Sequence, residues 1–424
     1  MFEAKVAAAV AIASTSCRFS LRGSPPMPVK NYRTLHGIRG VAALCIVALH
    51  SPRLFGPMPG FLGLAVDLFF VLSGFVLAHA YEDRFLQGMT PLAFLRQRWV
   101  RLYPLYGVGL LLGIVHQAMC ILYDSPTVAW TWSELLIALP FAVFMLPAPL
   151  SHAFPFNGPM WSIFFELMAN LVWAVFWRPL QSVRFLAATV VVCGGFYSWA
   201  LMYWETPALG LTWVNFPGGL ARVGYSFAAG LLIYRLRDTL RTPRIPPLVL
   251  MGVLPAMAFL RPGPTGQLLS VLLVFPLVVL LGARSEPRSG TQRVYESLGK
   301  ASYCAYVLHR PLAALLYAVV LQFSGQRLES FAPWGGFVFM AMLVAGGLVL
   351  TDRFETPARR WLTRRLTGKG REPLPAPGHV ALPRVSAGKD RPTSAAASQP
   401  RRGSLPRDAY LPSAPLGERP HGDL

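Results

Sequence analysis

Apolar residues run almost unbroken along most of this chain, and polar residues gather in short stretches between the runs. Ten runs predict membrane-spanning helices: 35–51, 60–80, 102–123, 160–177, 184–204, 218–236, 247–260, 267–283, 302–323 and 334–352. The runs do not alternate with period two, as strands of a membrane barrel would. A backbone in lipid must satisfy its own hydrogen bonds, so the runs are read as helices. An eleventh run, SELLIALPFAVFML at 133–146, has only 14 residues and contains Pro140. Its length predicts an interfacial or re-entrant segment instead of a crossing. The expected fold class is an all-α polytopic membrane protein with about ten transmembrane helices.

Charge then orients the runs. Only 14% of the 424 residues are charged, yet the net charge is +20, and the mean hydropathy is +0.45. In a soluble protein such basicity would point to nucleic acid. Here the arginines lie in short loops between apolar runs, where they set topology and meet anionic membrane lipid. No nucleic-acid motif is visible, and no nucleic-acid partner is expected. Lys30 and Arg33 place the start of the first run in the cytoplasm. With ten crossings, RPLQSVR, YRLRDTLRTPR, ARSEPRSGTQR and ARRWLTRR fall on that same side, with both termini cytoplasmic. The five cysteines, Cys17, Cys45, Cys120, Cys193 and Cys304, show no CxxC spacing and read as small core residues.

Composition divides the chain into three parts. Residues 1–30 form an N-terminal extension, expected to reflect a start at Met27 in preference to a weak signal segment. Residues 31–366 form one membrane domain. Residues 367–424 form a cytoplasmic tail, with ten prolines after position 367, that is expected to be disordered.

Ionisable residues inside apolar runs are costly and mark candidate function. Arg39 and His50 are 11 residues apart on the first run. That spacing puts them on one face of the helix, about 20° apart in projection and about 16 Å apart along the axis, so that they can line one cavity without touching. Asp67, in DLFFVLSGF, needs a partner, and Arg39 or His50 is the natural choice. Ser73 and Gly74 in the same stretch suit close helix packing. Arg98 and Arg101 are one turn apart just before Tyr103-Pro104, which marks the start of the third helix. Their fork geometry suits phosphates. Glu166 follows Trp161 and Ser162 in the fourth run, and His309 lies two turns inside the ninth. Histidines and carboxylates are scattered without local ligand spacing, so no metal is expected.

These residues, in this order, resemble the integral-membrane acyltransferase family 3, which O-acylates polysaccharides and glycosides. The resemblance is carried by Arg39 and His50; by Asp67 to Phe75; by Arg98 and Arg101; by Trp161, Ser162 and Glu166; by Leu298, Gly299, Ser302, Tyr303, Tyr306 and His309; and by Glu355 and Pro357. The sequence departs from the family at His36, where Asp is frequent. Many members carry a fused SGNH-type esterase domain; the tail here is short and lacks a nucleophile motif, so a standalone membrane domain is expected.

The resemblance implies transfer of an acyl group, expected to be acetyl, from acyl-CoA to a hydroxyl of a cell-surface or secreted carbohydrate or glycoside. It implies acyl-CoA as co-substrate with no bound cofactor, placement in the bacterial inner membrane, and a polysaccharide-biosynthesis protein as a candidate partner. On this reading Arg39 and the Arg98/Arg101 pair meet the donor, with Ser73 and Tyr303 beside it. His50 is the general base or the acyl carrier. Glu166 or Asp67 orients His50, and His309 or Tyr303 donates to the oxyanion. A proton-coupled transporter built on Asp67, Glu166 and His309 is the rival class. An acyl-group translocator that needs a second protein is the other.

Overall fold

The structure is a computed structural model that describes residues 30–123, 130–325 and 327–367. The expectations for the N-terminal extension and for the tail beyond position 367 lie outside these residues. Every regular element among the described residues is helical. In chain order the main helices are α1 (Arg33–His50), α2 (Ala65–Leu86), α3 (Pro91–Leu122), α4 (Trp132–Val143) and α5 (Met160–Val175). Then come α6 (Val183–Trp204), α7 (Phe216–Leu236), α8 (Pro247–Leu260), α9 (Pro264–Gly282), α10 (Gln292–Ser324) and α11 (Trp334–Leu366). α9 and α11 each contain one π-helical turn, at Ser270–Val274 and Thr351–Glu355.

Six of these helical stretches are long and apolar enough to cross a membrane, so the expected count of ten is corrected to about six. They are Gly60–Leu86, which includes α2, together with α3, α6, α9, α10 and α11. Two of the other expected spans are too short: α5 has 16 residues and α8 has 14. Two fall short in apolarity. α1 carries Arg33 and Arg39 together with His36 and His50, and α7 carries Arg222 and Arg235. Much of α1 and α7 is buried against other helices, which shelters their polar groups from lipid. The sidedness expected from ten alternating crossings loses its basis with that count. The 133–146 run forms α4, a helix of 12 residues opened by a capping box between Thr131 and Glu134.

A second correction concerns α3. It starts at Pro91, capped by Thr90, and runs straight through Pro104. Pro91 occupies the first turn, where a missing N–H costs nothing. Pro104 removes one interior hydrogen bond, which a long, packed helix tolerates. Arg98 and Arg101 therefore lie inside the helix, not ahead of it.

Glycines set the closest helix contacts. A Cβ at Gly40 of α1 would lie 2.6 Å from Leu298 Cβ, and one at Gly299 of α10 would lie 2.6 Å from His36 Cβ. These gaps let α1 and α10 lie side by side. The pairs Arg39–Gly299 and His50–His309 have sequence separations of 260 and 259, so the two helices run parallel and in register. α2 and α7 also meet through glycines but run antiparallel, with Gly230 facing Val71 and Gly74 facing Phe227. A Cβ on Gly230 would stand 2.1 Å from the Val71 carbonyl oxygen. Gly230→Ala is thus expected to push the backbones apart at a cost of about 1–3 kcal/mol. A thermal melt in detergent checks this, and an unchanged midpoint would refute it.

Candidate active site

The paired register of α1 and α10 builds two polar centres at opposite ends of one helix pair. Eleven residues of α1 separate them, a rise of about 16 Å.

At the C-terminal end of α1, His50 Nδ1 lies 3.1 Å from His309 Nε2, and the two rings stack with centroids 5.2 Å apart. His309 is fully buried. Its Nδ1 lies 2.7 Å from the Tyr306 carbonyl oxygen and 3.1 Å from that of Ala305. A carbonyl can only accept, so His309 carries its proton on Nδ1 and offers a lone pair at Nε2. His50 must then donate from Nδ1, which leaves its own Nε2 free to take a proton. Two backbone carbonyls thereby fix the tautomer of His50 through His309.

His50 also lines a cavity of about 1030 Å³. Its wall mixes hydrogen-bonding and aromatic groups, among them Gln117, Trp130, His152, Asn157 and Asn215. Asn157 donates from Nδ2 to the Val307 carbonyl at 2.8 Å, and Gln117 donates from Nε2 to that of Pro155 at 2.9 Å. The side-chain oxygens of both amides are buried without a hydrogen-bond partner.

The second centre is cationic. Arg39 donates to the Gly299 carbonyl at 2.6 Å, and its Nε is buried without a partner. Arg98, almost fully buried, pairs with Glu166 at 2.5 Å, and Ser73 donates to the same carboxylate at 3.2 Å. Glu355, in the π turn of α11, lies 3.5 Å from Arg359. Arg101 has no ion pair among the described residues and sits in the field of Arg98, Arg39 and Arg359. Four arginines thus face two glutamates. Tyr303 stands beside this cluster and donates to the Leu102 carbonyl at 2.7 Å.

The structure therefore sorts the predicted residues into three groups. His50 lines the cavity, with His309 buried behind it. Arg39, Arg98, Arg101, Ser73, Glu166 and Tyr303 gather at the cationic centre. Asp67 joins neither. Its partner is Arg222, which donates to its two oxygens at 2.7 and 2.6 Å, instead of the expected Arg39 or His50. The orienting contact of His50 is His309; Glu166 is engaged by Arg98 and Ser73. Sequence reasoning passed over Arg222. The available signal was an arginine inside an apolar run, the same signal that singled out Arg39. Among the described residues no three His, Cys, Asp or Glu side chains gather in a way that could hold a metal ion.

Comparison with known proteins assigns the chemistry. The family described as an acyltransferase domain matches residues 32–352. The acyltransferase MdmB of Streptomyces mycarofaciens is 27% identical over 380 residues, covering 80% of this chain and 95% of that protein. The exopolysaccharide production protein ExoZ of Rhizobium meliloti (strain 1021) is 30% identical over 321 residues, covering 71% and 91%. A Rhizobium radiobacter protein described as protein 2 in the picA locus is 41% identical over 179 residues, covering 39% and 94%. No solved structure matches.

The helical architecture and these matches define a membrane-embedded acyltransferase, an enzyme. The chain belongs to the integral-membrane acyltransferase family 3. Its relatives are bacterial, consistent with a place in the inner membrane.

Proposed function

We propose that the enzyme moves an acyl group, acetyl in the simplest case, from acyl-CoA to a hydroxyl of a carbohydrate or glycoside. The observation that carries this reading is His50, held by the buried His309, opening onto a polar, aromatic-lined cavity of about 1030 Å³. Such a mixture of amides, imidazoles and an indole suits a sugar, which offers hydroxyls at its rim and C–H faces between them. That one relative is named for exopolysaccharide production supports a carbohydrate acceptor.

His50 Nε2 takes the proton of the acceptor hydroxyl as its oxygen attacks the acyl carbon. The same nitrogen then returns a proton to the departing thiolate, so one imidazole serves both half-steps. His309 holds His50 in the reactive tautomer and takes no part in the bond changes. The cationic centre suits the phosphates of the donor, since guanidinium forks match phosphate oxygens. A long donor held there by its phosphates would extend along α1 to present its acyl group near His50. Loops rich in arginine face the cytoplasm in bacterial membranes, and an acyl-CoA donor entering from that side fits this arrangement.

Arg101→Gln is expected to raise the KM for acetyl-CoA by about 10- to 100-fold, the worth of one charge-assisted contact. kcat should change far less. Steady-state CoA release in proteoliposomes reads both constants, and an unaltered KM would remove Arg101 from the donor site. The reading as a whole is tested with labelled acetyl-CoA and glycan extracts. Folded protein that neither releases CoA nor labels any glycan would sink it.

A further inference from the structure

An acyl transfer builds negative charge on the carbonyl oxygen, and the site needs a donor for it. The geometry removes the first candidates. His309 uses Nδ1 on two carbonyls and Nε2 on His50. The Tyr303 hydroxyl donates to Leu102, and the Asn157 amide nitrogen donates to Val307.

Arg310 remains. It follows His309 directly on α10, lines the same cavity as His50, and leaves its side chain exposed there. Among the described residues it makes no hydrogen bond or ion pair. The cavity's two other fixed charges are both engaged. Arg53 lies 3.6 Å from Glu329 and 3.7 Å over the Tyr317 ring, and Glu134 accepts from Thr131 at its helix cap. Arg310 shares the cavity wall with three imidazoles, His50, His116 and His152. The backbone also makes room for it. A Cβ on Gly158 would lie 2.6 Å from Arg310 Nη1, so only glycine leaves the guanidinium where it is.

We propose that Arg310 is a further catalytic residue, donating from its guanidinium to the acyl carbonyl oxygen as that oxygen becomes an oxyanion beside His50. This rests on the acyl-transfer reading above. The acceptor oxygen forms a bond to the acyl carbon, and its proton passes to His50 Nε2. The carbonyl π pair moves onto oxygen, where Arg310 meets it. The pair then returns, the C–S bond breaks, and the sulfur leaves with the bonding electrons and takes the proton from His50. The products are the ester and free CoA thiol, so atoms and charge balance. A fixed cation is effective here because it needs no reorientation as the charge develops.

The test uses the full chain in proteoliposomes with acetyl-CoA, and water in place of the sugar hydroxyl, trapping released CoA thiol. Arg310→Gln should lower kcat by about 10²- to 10³-fold, while the KM for acetyl-CoA stays within about twofold. Gly158→Val keeps the charge but displaces the guanidinium, and should lower kcat in the same direction. Added guanidinium chloride should restore part of the rate of Arg310→Ala and none of that of His50→Ala, which a merely structural arginine would not show. An unchanged kcat in Arg310→Gln, or a raised KM alone, overturns the proposal and leaves the acyl-transfer reading standing. Wild-type protein that releases no CoA with water and labels no glycan when extracts are supplied overturns that reading, and this proposal with it.

Discussion

His50→Ala is expected to lower kcat for acyl transfer by about 10²- to 10⁴-fold, the usual contribution of a positioned general base. The protein should still insert and elute as a single species, because His50 closes the end of α1 at a cavity wall and its ring is only partly buried. His309 sharpens the expectation. In His309→Ala, His50 loses the acceptor that holds its proton on Nδ1 and becomes free to adopt the other tautomer. kcat should fall without a change in donor KM. His309→Gln offers a carbonyl oxygen in place of the imidazole lone pair and should keep more activity than His309→Ala. The double variant His50→Ala/His309→Ala should be no slower than His50→Ala, since residues that act as a unit are not additive. Single-turnover kinetics with acetyl-CoA measure all four. A His50→Ala rate within about tenfold of wild type would remove His50 from the chemistry.

The contrast between the two histidines shows what sequence makes legible here. Each could be flagged alone, as an imidazole where lipid or core was expected. Their contact could not be, because it spans 259 residues of sequence. It depends on Gly37, Gly40 and Gly299 bringing α1 and α10 together, and the GIRG stretch at 37–40 was the available trace of that approach. All-helical architecture was legible because apolar runs longer than a bilayer is thick admit few other structures. The number of crossings was not. The arginines of α1 and α7 lower their apolarity below that of the six spans, a cost that long flanking apolar stretches mask and that burial against neighbouring helices relieves. The short α5 and α8 carry the same apolar signature as true spans while lacking the length. Pro104 misled for a local reason. Proline favours the first turn of a helix, but a packed helix can also carry one in its interior.

Asp67 and Arg222 carry the second large effect, and they bear on stability. Asp67 is fully buried and Arg222 is 2% exposed, so neither charge has water to fall back on. Two hydrogen bonds of 2.7 and 2.6 Å join them, a third from Arg222 reaches the Pro207 carbonyl at 2.9 Å, and the Trp161 ring lies 5.2 Å from the guanidinium carbon. The pair therefore bolts α2 to α7 and both to the start of α5. Removing either partner strands a charge in a low-dielectric interior. Asp67→Leu and Arg222→Met are each expected to cost about 3–5 kcal/mol. Asp67→Leu/Arg222→Met removes both charges together and should recover much of that loss, because an apolar pair of similar volume is often no worse than a buried ion pair. A double-mutant cycle on detergent melting temperatures reads the coupling, and additive losses would show that the two residues act separately. Activity separates the two roles open to Asp67. If it serves only as a bolt, the refolded double variant will regain transfer along with stability. If its carboxylate acts on the chemistry, that variant will melt near the wild-type temperature and remain inactive.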